Sequence, residues 1–328
     1  MYLRISIFGL HQMTKNDYSK GVVYINGNFF LKHEAQISVF DQGFIFGDAI
    51  FDTLTVSNGY IFKINEHLDR LYKSAKAVDI HIPCDRKKLT NIMIETVKKT
   101  RLKDAYLKCI VTRGVNEKPV MGKGDVSNST IVVFAVPPVS IIDSKKINMG
   151  VNLISTSIKR APFETLDPRI KSTNYLPNML MRRQAIASGA DEALSYDQNG
   201  YITEAGAANI FLVNYSTLNP KNIVISTPDR GILEGITRET VIELFQEDLG
   251  MTVEEREVDR TELYVADEVF LTGTAAHVTP VGEIDNRPVN SGGVGRITER
   301  LREMYLGTIR GQNAEYMHWC HGVVPDGK

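Results

Sequence analysis

Neither a helix nor an interior strand runs through two adjacent prolines, because each proline removes a backbone donor and its ring blocks the preceding turn. Pro137-Pro138 is such a stop, and the polar run Asp143-Ser144-Lys145-Lys146 follows it. Residues 137–147 therefore read as a linker between a first domain, 21–136, and a second, 148–328. Residues 1–20 read as an N-terminal extension. Met1 to Leu10 is apolar but broken by Arg4, and no small-residue cleavage site follows.

The first half carries a clear hairpin signal: Val22-Val23-Tyr24-Ile25, then Asn26-Gly27, then Asn28-Phe29-Phe30. Asn-Gly supplies the positive φ values of a type I′ turn. Residues 37–63 read as further strands, with Ser57-Asn58-Gly59 turning between Phe51–Val56 and Tyr60–Lys63. Asn65 is placed to cap a helix with Leu68, Leu71, Tyr72, Ala75 and Val78 on one apolar stripe. A second amphipathic helix spans 86–101 through Leu89, Ile92, Met93 and Val97, followed by strands at Ala105–Thr112 and Thr130–Val136. Beyond the linker, strands are expected near 148–156, 192–196, 200–204 and 208–213, with helices at 174–188, 236–249 and 294–306. Asp197-Gln198-Asn199-Gly200 reads as a hairpin turn. The order is α+β with mixed sheets, not an alternating βαβ series.

Composition narrows the class of function. A formal charge of -1 gives no reason to expect nucleic acid or an anionic membrane as partner. No apolar run reaches ~18 residues, so no spanning helix is expected. Cys84, Cys109 and Cys320 are odd in number and far apart, which suits a reducing cytoplasm rather than a disulfide framework. His318-Trp319-Cys320-His321 holds too few ligands for zinc, and no metal site is expected.

Four stretches of the second half could carry chemistry. In the first, Lys171 precedes a helix whose Leu176, Met179, Leu180 and Ile186 recur at helical spacing. A lysine there loses its proton more readily than one in water, because burial and nearby positive charge disfavour the ammonium. That suits a Schiff-base lysine. The second is Thr203-Glu204-Ala205-Gly206-Ala207-Ala208-Asn209, an acidic residue beside small ones that allow close backbone approach. The third is Gly231-Ile232-Leu233-Glu234-Gly235-Ile236-Thr237-Arg238, a helix start with free N–H groups and a hydroxyl, suited to a phosphate. Its glycine spacing fits neither a Walker loop nor a dinucleotide fingerprint. The fourth is Gly273-Thr274-Ala275-Ala276, a second candidate anion-binding turn. Taken singly, each has a plain structural reading: a surface lysine, a strand-end glutamate, a helix cap, a tight turn.

In combination and order they resemble the fold type IV pyridoxal-phosphate enzymes, the class IV aminotransferases, from about Val22 to Tyr305. Asp41-Gln42-Gly43-Phe44, Glu66-His67-Leu68-Asp69-Arg70-Leu71, Leu233-Glu234-Gly235-Ile236-Thr237-Arg238 and Asp267-Glu268-Val269-Phe270 carry the resemblance locally. It implies a two-domain α+β fold of D-amino acid aminotransferase type, pyridoxal 5′-phosphate as cofactor, and a homodimer working on an amino donor and a keto acid. By that resemblance Lys171 forms the internal aldimine and later moves the proton between Cα and the cofactor's C4′. Glu204 would pair with the pyridine nitrogen, Tyr175 with the 3′-oxygen, and Leu233 would support the ring. The phosphate would lie on Gly235, Ile236, Thr237 and Thr274, with Arg70 as its cation. Periodicity alone makes Arg70 a solvated charge, opposite the Leu68/Leu71/Ala75 stripe. Substrate contacts would come from Phe46, Phe51, Thr53, Lys108 and the Thr274-Ala275-Ala276 turn.

The chain departs from each subfamily in part. Branched-chain enzymes usually carry Phe-Glu-Gly-Ile-Arg where this chain has Phe51-Asp52-Thr53-Leu54-Thr55, and an arginine in place of Lys108. Phe46-Gly47-Asp48, Val111-Thr112-Arg113-Gly114 and Thr227-Pro228-Asp229-Arg230-Gly231 are more similar to D-amino acid and (R)-amine transaminases. Gly273-Thr274-Ala275-Ala276, Thr279-Pro280-Val281 and the Glu315–Trp319 tail are similar to the branched-chain type. In the D-amino acid type the loop after Thr112 carries basic and histidine residues; here it has Arg113, Lys118 and Lys123. The leading expectation is a branched-chain-type aminotransferase passing its amino group to a keto acid such as 2-oxoglutarate. The alternatives are a D-amino acid or (R)-amine:pyruvate transaminase, an aminodeoxychorismate lyase, and a binding protein with Lys171 an ordinary lysine.

Overall fold

The computed structural model describes residues 20–118, 120–121, 129–139, 146, 149–215, 223–289 and 293–323. Most of the expected linker, most of the extension and Lys123 lie outside them.

The first half gives β1 (Val22–Ile25), β2 (Asn28–Leu31), α1 (Gln42–Phe46), β3 (Ala49–Ser57), β4 (Tyr60–Phe62), α2 (Ile64–Ala77), α3 (Arg86–Thr100), β5 (Ala105–Thr112) and β6 (Thr130–Val136). Asn26 and Gly27 both have positive φ, 44° and 104°, as the hairpin requires. Leu68, Leu71 and Ala75 of α2, with Leu89, Met93 and Val97 of α3, bury their stripes against the sheet.

The second half gives β7 (Val151–Lys159), α4 (Leu176–Ala187), β8 (Glu192–Tyr196), β9 (Ile202–Ala205), β10 (Asn209–Tyr215), β11 (Ile223–Thr227), α5 (Ile236–Glu247), β12 (Val253–Glu255), α6 (Arg260–Val265), β13 (Glu268–Gly273), β14 (His277–Ile284), β15 (Arg287–Pro288), α7 (Arg296–Ile309) and β16 (Cys320–Gly322). Among the described residues the strands form two sheets. One runs β16-β4-β3-β5-β6-β1-β2 and the other β12-β11-β10-β13-β14-β7-β8-β9, with β15 beside β14. The second sheet is mixed, since β7 runs parallel to both β8 and β14.

Several expectations are corrected. The first sheet is antiparallel throughout, not mixed. β16, from the end of the chain, pairs with β4 in that sheet, a crossing that the 148–328 boundary does not anticipate. Residues 42–46 are helical rather than extended, because Asp41 caps α1 by accepting from Gly43 N at 2.8 Å and Gly47 closes it at φ 68°. Asn65 lies inside α2, whose N-cap is Lys63 at φ 45°. The α4 stripe faces the wrong way for a core: Leu176, Met179, Leu180 and Ile186 are 67%, 48%, 43% and 61% exposed. Met181 and Ala185, on the opposite side, are the residues packed against β7 and β8.

A buried carboxylate fixes the far end of the second domain. Glu268 at the start of β13 accepts from Ile297 N at 3.1 Å, Thr298 N at 2.8 Å and the Thr298 hydroxyl at 2.7 Å. It thus caps α7 from another element, and the Tyr215 hydroxyl also donates to it. Gly295 must be glycine here, since an added Cβ would overlap the Glu268 carboxylate. Glu268→Ala strands those donors inside the protein. It should cost about 3 kcal/mol of stability, read as a lower urea midpoint at unchanged slope. A midpoint equal to wild type would contradict this capping role.

Candidate active site

The chain segment at Lys171 is held against the first sheet by its own backbone. Phe51 N donates to the Lys171 carbonyl at 2.8 Å and Thr173 N to the Ala49 carbonyl at 2.9 Å. Lys171 N in turn donates to the Ser74 hydroxyl at 3.1 Å. A lysine from the second half of the chain is thereby pinned to β3 and α2 of the first half. Its side chain enters a cavity of about 420 Å³ between the two sheets.

Arg70, Lys171, Tyr175, Glu204, Leu233, Gly235, Ile236, Thr237 and Thr274 all line this cavity, as do Phe51, Thr53, Lys108 and Ala275. Two expected residues do not. Phe46 lines a separate pocket with Gly47 and Asn174, because α1 carries it away from the cleft. Ala276 turns into the core beside Leu271 and Val281.

The electrostatics favour a reactive amine. Burial, then the Arg70 guanidinium, lowers the Lys171 pKa to about 8, against the opposing pull of Asp52 and Glu204. Its Nζ lies 3.4 Å from the Tyr175 hydroxyl and 4.8 Å from the centre of the Phe51 ring. Lys108 approaches the same ring at 4.1 Å. Burial and the Lys171 charge also bring Lys108 down to about 8. Burial pushes the Tyr175 phenol up to about 12, so it stays protonated and able to donate.

Across the cavity, Glu204 is buried at 5% exposure and fully partnered. Arg160 pairs with one carboxylate oxygen. The other accepts from Leu233 N at 3.1 Å and Asn209 Nδ2 at 3.2 Å. Burial raises its pKa, and Arg160 works against that rise. Asn209 also donates to the Leu233 carbonyl at 3.0 Å, and a Cβ on Gly235 would overlap its Oδ1. The glycine therefore makes room for Asn209. Gly235 is the N-cap of α5, and the first intrahelical bond runs from Glu239 N to its carbonyl. The preceding N–H groups of Ile236 and Thr237 are left for an anion.

Arg70 is not the solvated charge that periodicity gives. Its side chain is 11% exposed and grips Asp52 through Nε and Nη2, both at 2.8 Å, while Nη1 donates to the Glu234 carbonyl at 2.9 Å. Asp52 also meets His67 Nδ1 at 2.7 Å. Burial alone would raise the Asp52 carboxyl, but Arg70 and His67 hold it well below the ordinary range. Asp52 comes from β3, against which α2 packs, so the helix face bearing Arg70 meets a buried partner.

Sequence reasoning missed Arg160, the Asp52–Arg70–His67 cluster and the cavity-lining Asn178, Tyr106 and Thr272. Only one signal was available: a buried glutamate requires a cation, and spacing does not say which. The donor set fits pyridoxal phosphate, with a low-pKa amine, a fixed carboxylate opposite, and N–H groups, hydroxyls and an arginine for a phosphate.

Because Lys171 ionises near pH 8, capture of added cofactor by the cofactor-free protein should accelerate with rising pH up to about 8 and then level off. Replacing Lys108 with Met removes a neighbouring positive charge, so the inflection should move to higher pH. Stopped-flow absorbance measures both. A wild-type rate still climbing through pH 10, like that of a solvated lysine, would contradict the assignment.

Comparison with known proteins identifies the family. The Amino-transferase class IV family model matches residues 49–284. A putative branched-chain-amino-acid aminotransferase of Methanocaldococcus jannaschii is 39% identical over 285 residues, covering 86% of this chain and 94% of the relative. The branched-chain-amino-acid aminotransferase of Escherichia coli K12 is 28% identical over 311 residues, covering 92% and 97%. Among solved structures, the branched-chain aminotransferase of Thermoproteus uzoniensis with norvaline superposes with TM-score 0.82 at 31% identity, covering 92% of this chain and 99% of that one. The branched-chain amino acid aminotransferase of Thermobaculum terrenum in its PLP-form gives TM-score 0.81 at 30% identity, covering 92% and 98%. The chain belongs to the class IV aminotransferases and is a pyridoxal-phosphate-dependent transaminase.

Proposed function

We propose that the enzyme moves the amino group of a branched-chain L-amino acid to a 2-keto acid such as 2-oxoglutarate. The observation that carries this reading is the fate of Arg113. The resemblance to the D-amino acid type leans on basic and histidine residues in the loop after Thr112, where this chain has Arg113 but no histidine. Here Arg113 is bound to Asp48 at 2.5 Å and to the carbonyls of Val78 and Asp79, both at 2.8 Å. Its guanidinium is thus already engaged away from the cleft. The Thr274-Ala275 turn lines the cavity instead, beside apolar Phe51, Val139 and Met179. That pairing suits an α-carboxylate with an aliphatic side chain. The relatives named above share the branched-chain designation.

In this reading bound pyridoxal phosphate supplies the electron sink for the pair left when the Cα–H bond breaks. Lys171 Nζ takes that proton and returns it at the cofactor's C4′ position, and its depressed pKa suits both transfers near neutral pH. Glu204, oriented by Asn209 and paired with Arg160, would face the ring nitrogen and favour its protonated form. Tyr175 donates to the ring oxygen, and Leu233 supports the ring from one face. Arg70 and the start of α5 receive the phosphate, with Thr237 and Thr274. Lys108 is the cavity cation placed to meet a second carboxylate on the keto acid.

The test is a half-reaction. The cofactor-loaded enzyme is mixed separately with L-leucine, D-alanine and (R)-1-phenylethylamine, and loss of the visible cofactor band is followed. L-leucine should bleach it fastest, and Lys171→Ala should abolish the response. Faster bleaching by D-alanine or the (R)-amine would move the enzyme to the other class.

We also propose a homodimer. Leu176, Met179, Leu180 and Ile186 of α4 are exposed, as is Phe44 at 67%. A monomer presenting this much apolar surface invites a partner, and a second copy offers the same patch across a two-fold axis. Sedimentation should give twice the 36.7 kDa chain mass. The double substitution Leu180→Glu and Ile186→Glu should reduce it to one. A wild-type monomer would remove the proposal.

A further inference from the structure

Among the described residues, four buried side-chain atoms have no hydrogen-bond partner: Gln42 Nε2, Ser129 Oγ, Thr272 Oγ1 and His277 Nδ1. Only Thr272 also lines the main cavity. A threonine at 0% exposure with an orphaned hydroxyl is costly, since a buried donor without an acceptor forfeits its hydration.

The sheet shows where that hydroxyl lies. Thr272 is paired across the ladder with Asn209 on β10 and with Val278 on β14. Cross-strand partners project to the same face, with Cβ atoms ~5 Å apart. The Asn209 side chain abuts Gly235, the N-cap of α5. Val278 shares a core cluster with Val241 and Leu244 of α5. Thr272 therefore stands under the N-terminus of α5 and shares the cavity wall with Ile236 and Thr237.

We propose that Thr272 is a phosphate-binding residue, whose hydroxyl donates to a phosphate oxygen of pyridoxal 5′-phosphate seated at the start of α5. This rests on the phosphate placement under Proposed function. It adds a donor from the sheet floor to those from the helix start and the Thr274 turn. The orphaned hydroxyl then destabilises the cofactor-free protein and stabilises the loaded one. Valine, the isosteric replacement, separates the two effects.

Full-length apoenzyme is titrated with pyridoxal phosphate, with pyridoxal, and with inorganic phosphate, and its melting temperature is recorded. Thr272→Val should weaken pyridoxal phosphate about tenfold or more. It should leave pyridoxal, which lacks the phosphate, within about twofold of wild type. The apo melting temperature should stay level or rise, because the unpartnered hydroxyl is gone. Inorganic phosphate should raise the melting temperature of the wild type but not of the variant, a comparison that does not involve Lys171 and so stands even if the lysine assignment fails. Thr272→Ser, which keeps the hydroxyl, should restore phosphate protection. Unchanged pyridoxal phosphate affinity in the valine variant would overturn the proposal. So would equal losses for pyridoxal and its phosphate accompanied by a lower apo melting temperature, the signature of a purely structural threonine.

Discussion

Two backbone hydrogen bonds organise this molecule: Phe51 N to the Lys171 carbonyl and Thr173 N to the Ala49 carbonyl. They join the segment before α4 to the edge of β3 and so bring one sheet against the other. Without them Lys171 would sit on a loop beside the second sheet, solvated and protonated. With them it is enclosed between a phenylalanine from one sheet and a glutamate from the other. Its lowered pKa is thus a property of how the two sheets meet. The same two bonds place the Phe51 ring on the cavity wall, where both Lys171 and Lys108 approach it.

The enclosed space is crowded with charge, and the arrangement of partners decides which charges can change. Asp52 is gripped by Arg70 and His67, and Glu204 by Arg160, Asn209 and Leu233 N. Such buried ion pairs contribute little net stability, because desolvation offsets attraction, but they fix orientation. Lys171 and Lys108 have no carboxylate at contact distance in this set. Burial and neighbouring positive charge outweigh the opposing pull of the carboxylates, so both lysines are brought down to about 8. Fixed pairs hold the proposed cofactor contacts, and Lys171 is left for the proton transfers proposed for it.

What could be read in the sequence follows from how local each feature is. The hairpin at Asn26-Gly27, the α2 and α3 stripes and the start of α5 depend on neighbours within a few residues, and these were legible. Arg70 was named only through the family resemblance, because its partner Asp52 lies 18 residues away on another element and periodicity leaves it solvated. Arg160 is separated from Glu204 by 44 residues and gives no local sign at all. β14 was obscured by Pro280, which argues against an interior strand. The structure accommodates it because β7 pairs with β14 only from Val281 onward. The α4 stripe misled for a different reason: periodicity reports an apolar face without saying whether the chain's own core or another surface covers it. Thr272 reads as an ordinary strand residue, and only its missing partner sets it apart.

The two walls of the cavity differ in how much their sequence can vary. On the second sheet, Gly235 is fixed by Asn209 and Gly206 by Glu192, whose Oε1 would lie 2.6 Å from an added Cβ. Each of these two glycines is required by a side chain that itself holds Glu204 or the neighbouring strand, so neither can change without its partner. On β3 the contacts are single. Thr53 Oγ1 meets the Tyr106 hydroxyl at 3.5 Å, and Thr55 Oγ1 donates to the Thr274 carbonyl at 2.8 Å. The second bond spans the cleft and steadies the turn proposed to receive the substrate carboxylate. Where the branched-chain pattern has glycine and arginine, this chain has two threonines, of which Thr53 touches only its own sheet and Thr55 reaches the opposite wall. The cofactor side was therefore readable from motifs, while the substrate side had to be read from geometry.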